Sequence, residues 1–358
     1  MISTELYDYL RRPHETGWRD GVLRSQVWRG IPWDHDLVVC VPSSQEGDAK
    51  HDQDSPESAC ILLITGGPAN PTDLTWCQRL ADESSLPVAG LFHIPAQPLF
   101  DRTEDDLIAF TFDQYLETGE EDWPLLFPMV QAAVAAMNEL PYERFIVTGA
   151  SKRGWTSWLV GCLGDPRVVG IAPEVFDNLN MGAQMAQQLT YWGHYSPMIE
   201  PYVSEDLPQR LGTPEVQQLA ALVDPYTYLP NLNCPVYTII GTNDPYWTVD
   251  SIRLYWDAVP GQKWIDYAPN CGHTIGDRSQ PRFGLAGFAR GCAGLGPWPS
   301  EEGALETWWS WSPNRQFADA EWSQEPMPQL THGTVATFQR WVQGDTVSCS
   351  PMVLRSCP

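Results

Sequence analysis

The segment Val147-Thr148-Gly149-Ala150-Ser151-Lys152-Arg153-Gly154 holds the side chain best placed for nucleophilic chemistry. A buried apolar strand here runs into a helical pattern, so Ser151 falls on the sharp turn between them with its hydroxyl clear of the backbone, as in a nucleophile elbow. A serine at such a place also suits the plainer role of helix N-cap. The match to G-x-S-x-G is imperfect, because Arg153 stands where the second glycine belongs and Gly154 comes one place later. A neutral hydroxyl needs a base, and His273 in Pro269-Asn270-Cys271-Gly272-His273 follows the next-but-one strand downstream of the insertion, where a general base is expected. Asp244, leaving the strand Val236–Gly241 just before Pro245, is the leading acid to orient that histidine, with Asp250, Glu174 and Asp177 as alternatives. Acyl transfer also needs donors for the developing oxyanion. The backbone N–H of Lys152 is one expected donor, and Gly67 or Ala69 in Gly66-Gly67-Pro68-Ala69 would supply the second, since Pro68 has no N–H to give.

The elements that must hold these residues follow from period and punctuation. Val22–Pro42 reads as a hairpin or meander feeding a sheet, and Cys60–Thr65 as a short buried strand ending in glycines. A helix over roughly 72–83 precedes a strand at Pro87–Phe92. From Pro124 to Leu140 the apolar residues recur at helical spacing. Arg144–Thr148, Val168–Ala172, Val236–Gly241 and Lys263–Tyr267 supply further short strands, with helical stretches between them. Together they describe an α/β fold with a mainly parallel central sheet covered on both faces. Residues 174–230 are too long for an ordinary connection and are expected to form a lid-like insertion over the site. Residues 1–300 then make one domain. Beyond Gly276 the glycines at 284, 287, 291, 294 and 296 argue for loops, and residues 301–358 for a small β-rich appendage.

Within and near the insertion, Tyr191, Trp192, Tyr195, Tyr246 and Trp247 are candidate substrate contacts, although aromatics are equally at home in a core. Glu174 and Asp177 could favour a cationic group or free amine, against the plainer reading of solvated carboxylates. A formal charge of −24 works against nucleic acid and anionic lipid as partners. No zinc spacing, HExxH or Walker motif occurs, so neither metal nor cofactor is expected. The opening residues lack an apolar leader core, and no stretch is long enough to span a bilayer, leaving a cytoplasmic protein or a secreted one without its leader. Nine cysteines leave at least one unpaired; Cys349 and Cys357 could staple the tail or remain thiols, and a bridge between Cys234 and Cys271 is not expected.

The chain resembles the PhoPQ-activated pathogenicity-related protein family. The resemblance is carried by Ser25-Gln26-Val27-Trp28 with Trp33 and His35, by Ile94-Pro95-Ala96-Gln97-Pro98, by Asp105 through Tyr115, and by Trp123-Pro124. It continues through Thr148–Trp155, Asp177-Asn178-Leu179-Asn180, Asn243-Asp244, Pro260-Gly261, Pro269-Asn270 and His273, from about residue 7 to residue 322. The resemblance implies an α/β-hydrolase fold with Ser151, Asp244 and His273 as nucleophile, acid and base. The glycine-rich stretch Gly284–Gly296 and the short C-terminal end depart from the family pattern. The expected function is hydrolysis of a small ester, amide or peptide through an acyl-enzyme, esterase and peptidase being inseparable at this level; a non-enzymatic binding or signalling protein on the same scaffold is the alternative.

Overall fold

The computed structural model describes residues 4–45, 59–275 and 283–357. The strands are β1 (Gly17–Arg19), β2 (Val22–Trp28), β3 (Ile31–Cys40), β4 (Ala59–Ile64), β5 (Val88–Leu91), β6 (Arg144–Ala150), β7 (Val168–Glu174), β8 (Val236–Gly241) and β9 (Lys263–Ala268), followed by β10 (Ala304–Ser312), β11 (Thr334–Gln343), β12 (Thr346–Cys349) and β13 (Val353–Ser356). The helices are α1 (Glu5–Arg11), α2 (Pro71–Ser84), α3 (Glu104–Thr118), α4 (Leu126–Glu139), α5 (Lys152–Gly161), α6 (Met181–Trp192), α7 (Glu200–Ser204), α8 (Pro214–Val223), α9 (Pro225–Tyr228) and α10 (Phe283–Ala293).

One sheet runs in the order β1-β2-β3-β5-β4-β6-β7-β8-β9-β12-β11-β10, with β13 also paired to β11. From β5 to β9 neighbours are parallel, and the outer strands on both sides are antiparallel. β4, β5 and β8 are buried at every position, as strands covered on both faces must be. Two apolar layers result. The larger packs α4, α5 and the insertion on one face; the smaller packs α2 and α10 on the other.

The glycines after residue 276 do not make a loop throughout. Gly284, Gly287 and Gly291 lie inside α10, spaced to share one face, and each meets a neighbour too close for a side chain. A Cβ on Gly284 would lie 2.1 Å from the Tyr237 hydroxyl, on Gly287 2.4 Å from the Asp345 carbonyl oxygen, and on Gly291 2.9 Å from the Trp298 ring. Tight packing, not chain reversal, is what these glycines serve; only Gly294, at φ 77°, marks the helix end.

The C-terminal strands form the expected β appendage, continuous with the central sheet where Cys349 of β12 faces Ile265 of β9. Cys349 and Cys357 do not staple it. Cys349 stands opposite Arg340, and Cys357 donates its N–H to Gly333. That places them about 20 Å apart along β11, beyond disulfide reach; every cysteine is a free thiol. Among the described residues, no helix is long and apolar enough to cross a membrane. The polar stretch Ser43 to Ser58 reads from its sequence as a loop, and from residue 46 onward it lies outside the described residues.

Candidate active site

Ser151 joins β6 to α5 at φ 60° and ψ −125°, a conformation that costs a residue with a Cβ about 1–3 kcal/mol. Its surroundings enforce the turn. The Ser151 N–H donates to the Glu174 carbonyl at 2.8 Å, and its carbonyl accepts the first α5 bond from Trp155 at 3.0 Å. A Cβ on Gly149 would stand 2.9 Å from the Ile64 carbonyl oxygen, and one on Gly154 2.8 Å from that of Glu174. The second glycine therefore belongs at 154, on the side of α5 pressed against β7.

Arg153, at the position the motif gives to glycine, turns the other way. Its Nε donates to the Ile94 carbonyl at 2.6 Å and its two terminal nitrogens reach Glu104 at 2.8 Å each. The guanidinium fills the space beside Gly66, where a Cβ would come within 2.1 Å of it. Lys152 Nζ adds contacts of 2.7 Å to Glu104 and 3.3 Å to Asp105. Burial pushes the Glu104 carboxyl up, but the Arg153 and Lys152 cations outweigh it and hold the group well below the usual carboxylate range. The local sequence pattern marks neither α3 nor this network; the opposite charges at 104–105 and 152–153 are the one trace of it in the sequence.

The Ser151 hydroxyl makes no capping bond. Its Oγ lies 2.8 Å from His273 Nε2, and His273 Nδ1 lies 2.8 Å from Asp244 Oδ2. The other Asp244 oxygen accepts the Tyr246 N–H at 2.9 Å. The Tyr246 ring stacks on the imidazole at 4.0 Å between centroids and 28° between planes, fixing its tilt. Asp250, the rival acid, is turned to Gln187 and Tyr191. The loops carrying His273 and Asp244 are tied together and to the appendage. Asn243 donates its N–H to the Cys271 carbonyl at 2.9 Å, and its side-chain nitrogen reaches the carbonyls of Phe317, Ala318 and Ala320 at 3.0, 3.1 and 2.6 Å. Asn270 exchanges two hydrogen bonds with the Trp322 backbone, of 3.0 and 2.7 Å.

Lys152 N–H opens α5 beside Ser151, where a helix leaves its first donors unpaired. The Ala69 N–H is committed to Asp36 Oδ2 at 3.0 Å, so it has no place as the second oxyanion donor. Gly66 lines a cavity with Ser151 and His273, whereas Gly67, beside it, accepts from the His93 N–H through its carbonyl.

Tyr246 and Trp247 line a cavity at Ser151. Tyr195 packs behind Trp247 and donates to the Pro208 carbonyl at 3.3 Å. Trp192 and Tyr191 do not join them. Trp192 donates its indole N–H to the Arg315 carbonyl at 3.1 Å, and Tyr191 reaches Asp250 under the Arg315 guanidinium. Both rings dock the insertion on the C-terminal segment. Glu174 is buried beneath the elbow, its Oε1 accepting from Thr148 at 3.2 Å. Asp177 is buried 3.0 Å from Ser251 Oγ, and burial pushes its carboxyl up to about 7. Both carboxyls are buried, so neither is a solvated surface group nor an exposed contact for a cationic substrate. Among the described residues no three His, Cys, Asp or Glu side chains converge as metal ligands.

A hydroxyl, an imidazole and a carboxylate in this file can pass a proton from the hydroxyl to the ring while the carboxylate holds the ring's tautomer. The family described as PhoPQ-activated pathogenicity-related protein matches residues 14–302. Autocrine proliferation repressor protein A of Dictyostelium discoideum is 30% identical over 318 residues, 77% of this chain and 62% of that protein. The chain thus spans less than two thirds of that relative's length. Among solved structures, the acetyl xylan esterase from Paenibacillus sp. R4 superposes with a TM-score of 0.50 at 12% identity, covering 75% of this chain and 86% of that one. Acetyl xylan esterase 1 from Thermoanaerobacterium sp. JW/SL YS485 gives 0.45 at 13%, covering 81% and 92%. The first likeness shows the α/β-hydrolase fold. Since the family match extends from residue 14 to residue 302, across every strand that positions the site, the chain belongs to the PhoPQ-activated pathogenicity-related protein family.

Proposed function

We propose that the protein is a serine hydrolase that cleaves a small ester, amide or peptide through an acyl-enzyme. The observation that carries this reading is the file Ser151–His273–Asp244, with 2.8 Å at each step. His273 Nε2 takes the Ser151 proton as Oγ bonds to the substrate carbonyl carbon and the carbonyl π pair moves onto oxygen. The Lys152 N–H and an N–H of Gly66 or Gly67 hold that oxyanion. As the pair returns, the bond to the leaving group breaks and His273 delivers the proton to it. Water then repeats the sequence with His273 as base, releasing the acid and restoring Ser151. Asp244 holds Nδ1–H toward itself and stabilises the imidazolium. A polyanion is a poor substrate for a chain of charge −24.

Intact-mass measurement after treatment with a fluorophosphonate tests the reading. One adduct is expected on the parent protein and none on Ser151→Ala; equal labelling of the variant would remove Ser151 from the mechanism. A second reading, signalling on a hydrolase scaffold, draws on the name of the Dictyostelium relative, a proliferation repressor. It predicts a parent protein that forms no adduct.

A further inference from the structure

A cavity of about 110 Å³ opens at Ser151, His273 and Tyr246 and runs between the sheet and the insertion. Phe112 of α3, Trp155 of α5, Phe176, Met185 of α6, Leu219 of α8 and Trp247 are among the residues that line it. Apart from His273, the charged groups in the lining are Asp105 and Lys152, which pair at 3.3 Å, and Asp105 also accepts from the Tyr202 hydroxyl at 3.0 Å. A charged substrate group would find its counter-ion already taken, whereas an apolar group would exchange water for a hydrocarbon wall. An apolar cavity of roughly 150 Å³ accommodates benzene. The smaller space here suits a chain of about four to five carbons by the same comparison.

Resting on the hydrolase reading, we propose that this cavity receives the acyl side of the substrate, an uncharged apolar acyl group of about that size. Ser151 and His273 line both this cavity and the one beside Gly66; of the two, the apolar one takes the acyl group bonded to Oγ and the other is left to the departing group. The insertion is then the element that sets acyl-chain length, through α6 and α8.

Two ester series separate the acyl side from the leaving side. With p-nitrophenyl acetate, butyrate and hexanoate, kcat/KM should rise by about fourfold per methylene as each is buried. With ethyl, butyl and hexyl acetates it should stay flat. In Leu219→Phe, where the larger ring fills the cavity, the hexanoate-to-acetate ratio within the same variant should fall at least tenfold. A flat acyl series, or a rise confined to the alkyl acetates, overturns the proposal. Binding is read without turnover on Ser151→Ala labelled with ¹³C-methyl methionine. Hexanamide should shift the Met181 and Met185 methyl resonances at concentrations where acetamide does not; unmoved resonances overturn the proposal whatever the esters do. Failure of the hydrolase reading shows separately, as absence of the fluorophosphonate adduct on the parent protein.

Discussion

His273 is held from three sides: Asp244 at Nδ1, Ser151 at Nε2 and the Tyr246 ring across its face. If Asp244 fixes the tautomer, Asp244→Asn should leave the fold intact and lower kcat by about 10³–10⁴-fold, because an amide can offer an N–H to Nδ1 and turn the ring's proton toward Ser151. Steady-state kinetics with a melting curve check this; an equal loss of melting temperature and rate would make Asp244 structural. Gly66 bears on a different part of the site. Gly66→Ala puts a methyl where the Arg153 guanidinium lies, and forced overpacking costs about 1–3 kcal/mol. Urea unfolding should show that loss, and the same substitution made in an Arg153→Ala background, where the space is vacant, should cost less. An equal cost in the two backgrounds would mean the methyl clashes elsewhere.

At the scale of elements, the insertion and the C-terminal segment meet the site in different ways. α6 and α8 wall the cavity, but Trp192 at the end of α6 faces Arg315. Trp192→Ala should therefore lower stability by about 1–2 kcal/mol, less than a fully buried tryptophan would, with the ratio of kcat/KM among acyl esters unchanged. A changed ratio would return Trp192 to the substrate. The segment 317–322 instead holds the loops of Asp244 and His273 through Asn243 and Asn270. Asn243→Ala leaves three carbonyls without that donor and should lower kcat at least tenfold while KM moves less, since a loosened triad loses orientation more than binding. A rise in KM with kcat unchanged would place Asn243 in substrate binding.

The whole molecule combines buried groups whose titrations oppose one another. Burial pushes Asp177 up to about 7 and Asp224 up to about 6, and pushes His35, which lies 2.9 Å from Ser25 Oγ, down to about 4. The two carboxyls stay protonated in the folded chain after they would ionise in the unfolded one. Their stabilisation is full below the ordinary carboxylate range and is lost as pH rises through 6 and 7. His35 acts in the other direction: the unfolded chain takes up its proton below about 6.5, so stability falls as pH drops from there toward 4. Asp177→Asn keeps an acceptor for Ser251 and removes one titration. Relative to the parent it should gain on the order of 3 kcal/mol as pH rises from 4 to 7, measured as urea midpoints across that range. Parallel midpoint curves would mean that Asp177 ionises normally.

The alternation and apolar runs of the sequence determined the parallel strands, the α4 stripe and the strand-to-helix turn at Ser151, because period and turn chemistry act over neighbouring residues. The order of Ser151, Asp244 and His273 along strand exits was legible for the same reason. What only the tertiary structure decided are features made by residues far apart in the chain. The α10 glycines look like helix breakers until Tyr237, Asp345 and Trp298 are set against them. Arg153 looks like a defect in the elbow until Glu104 and Gly66 take it up. Ala69 looks like an oxyanion donor until Asp36 claims its N–H. Trp192 looks like a pocket residue until the chain returns with Arg315 more than a hundred positions later. In each case the deciding partner lies on another element, and no local pattern records which groups packing brings within a few ångströms.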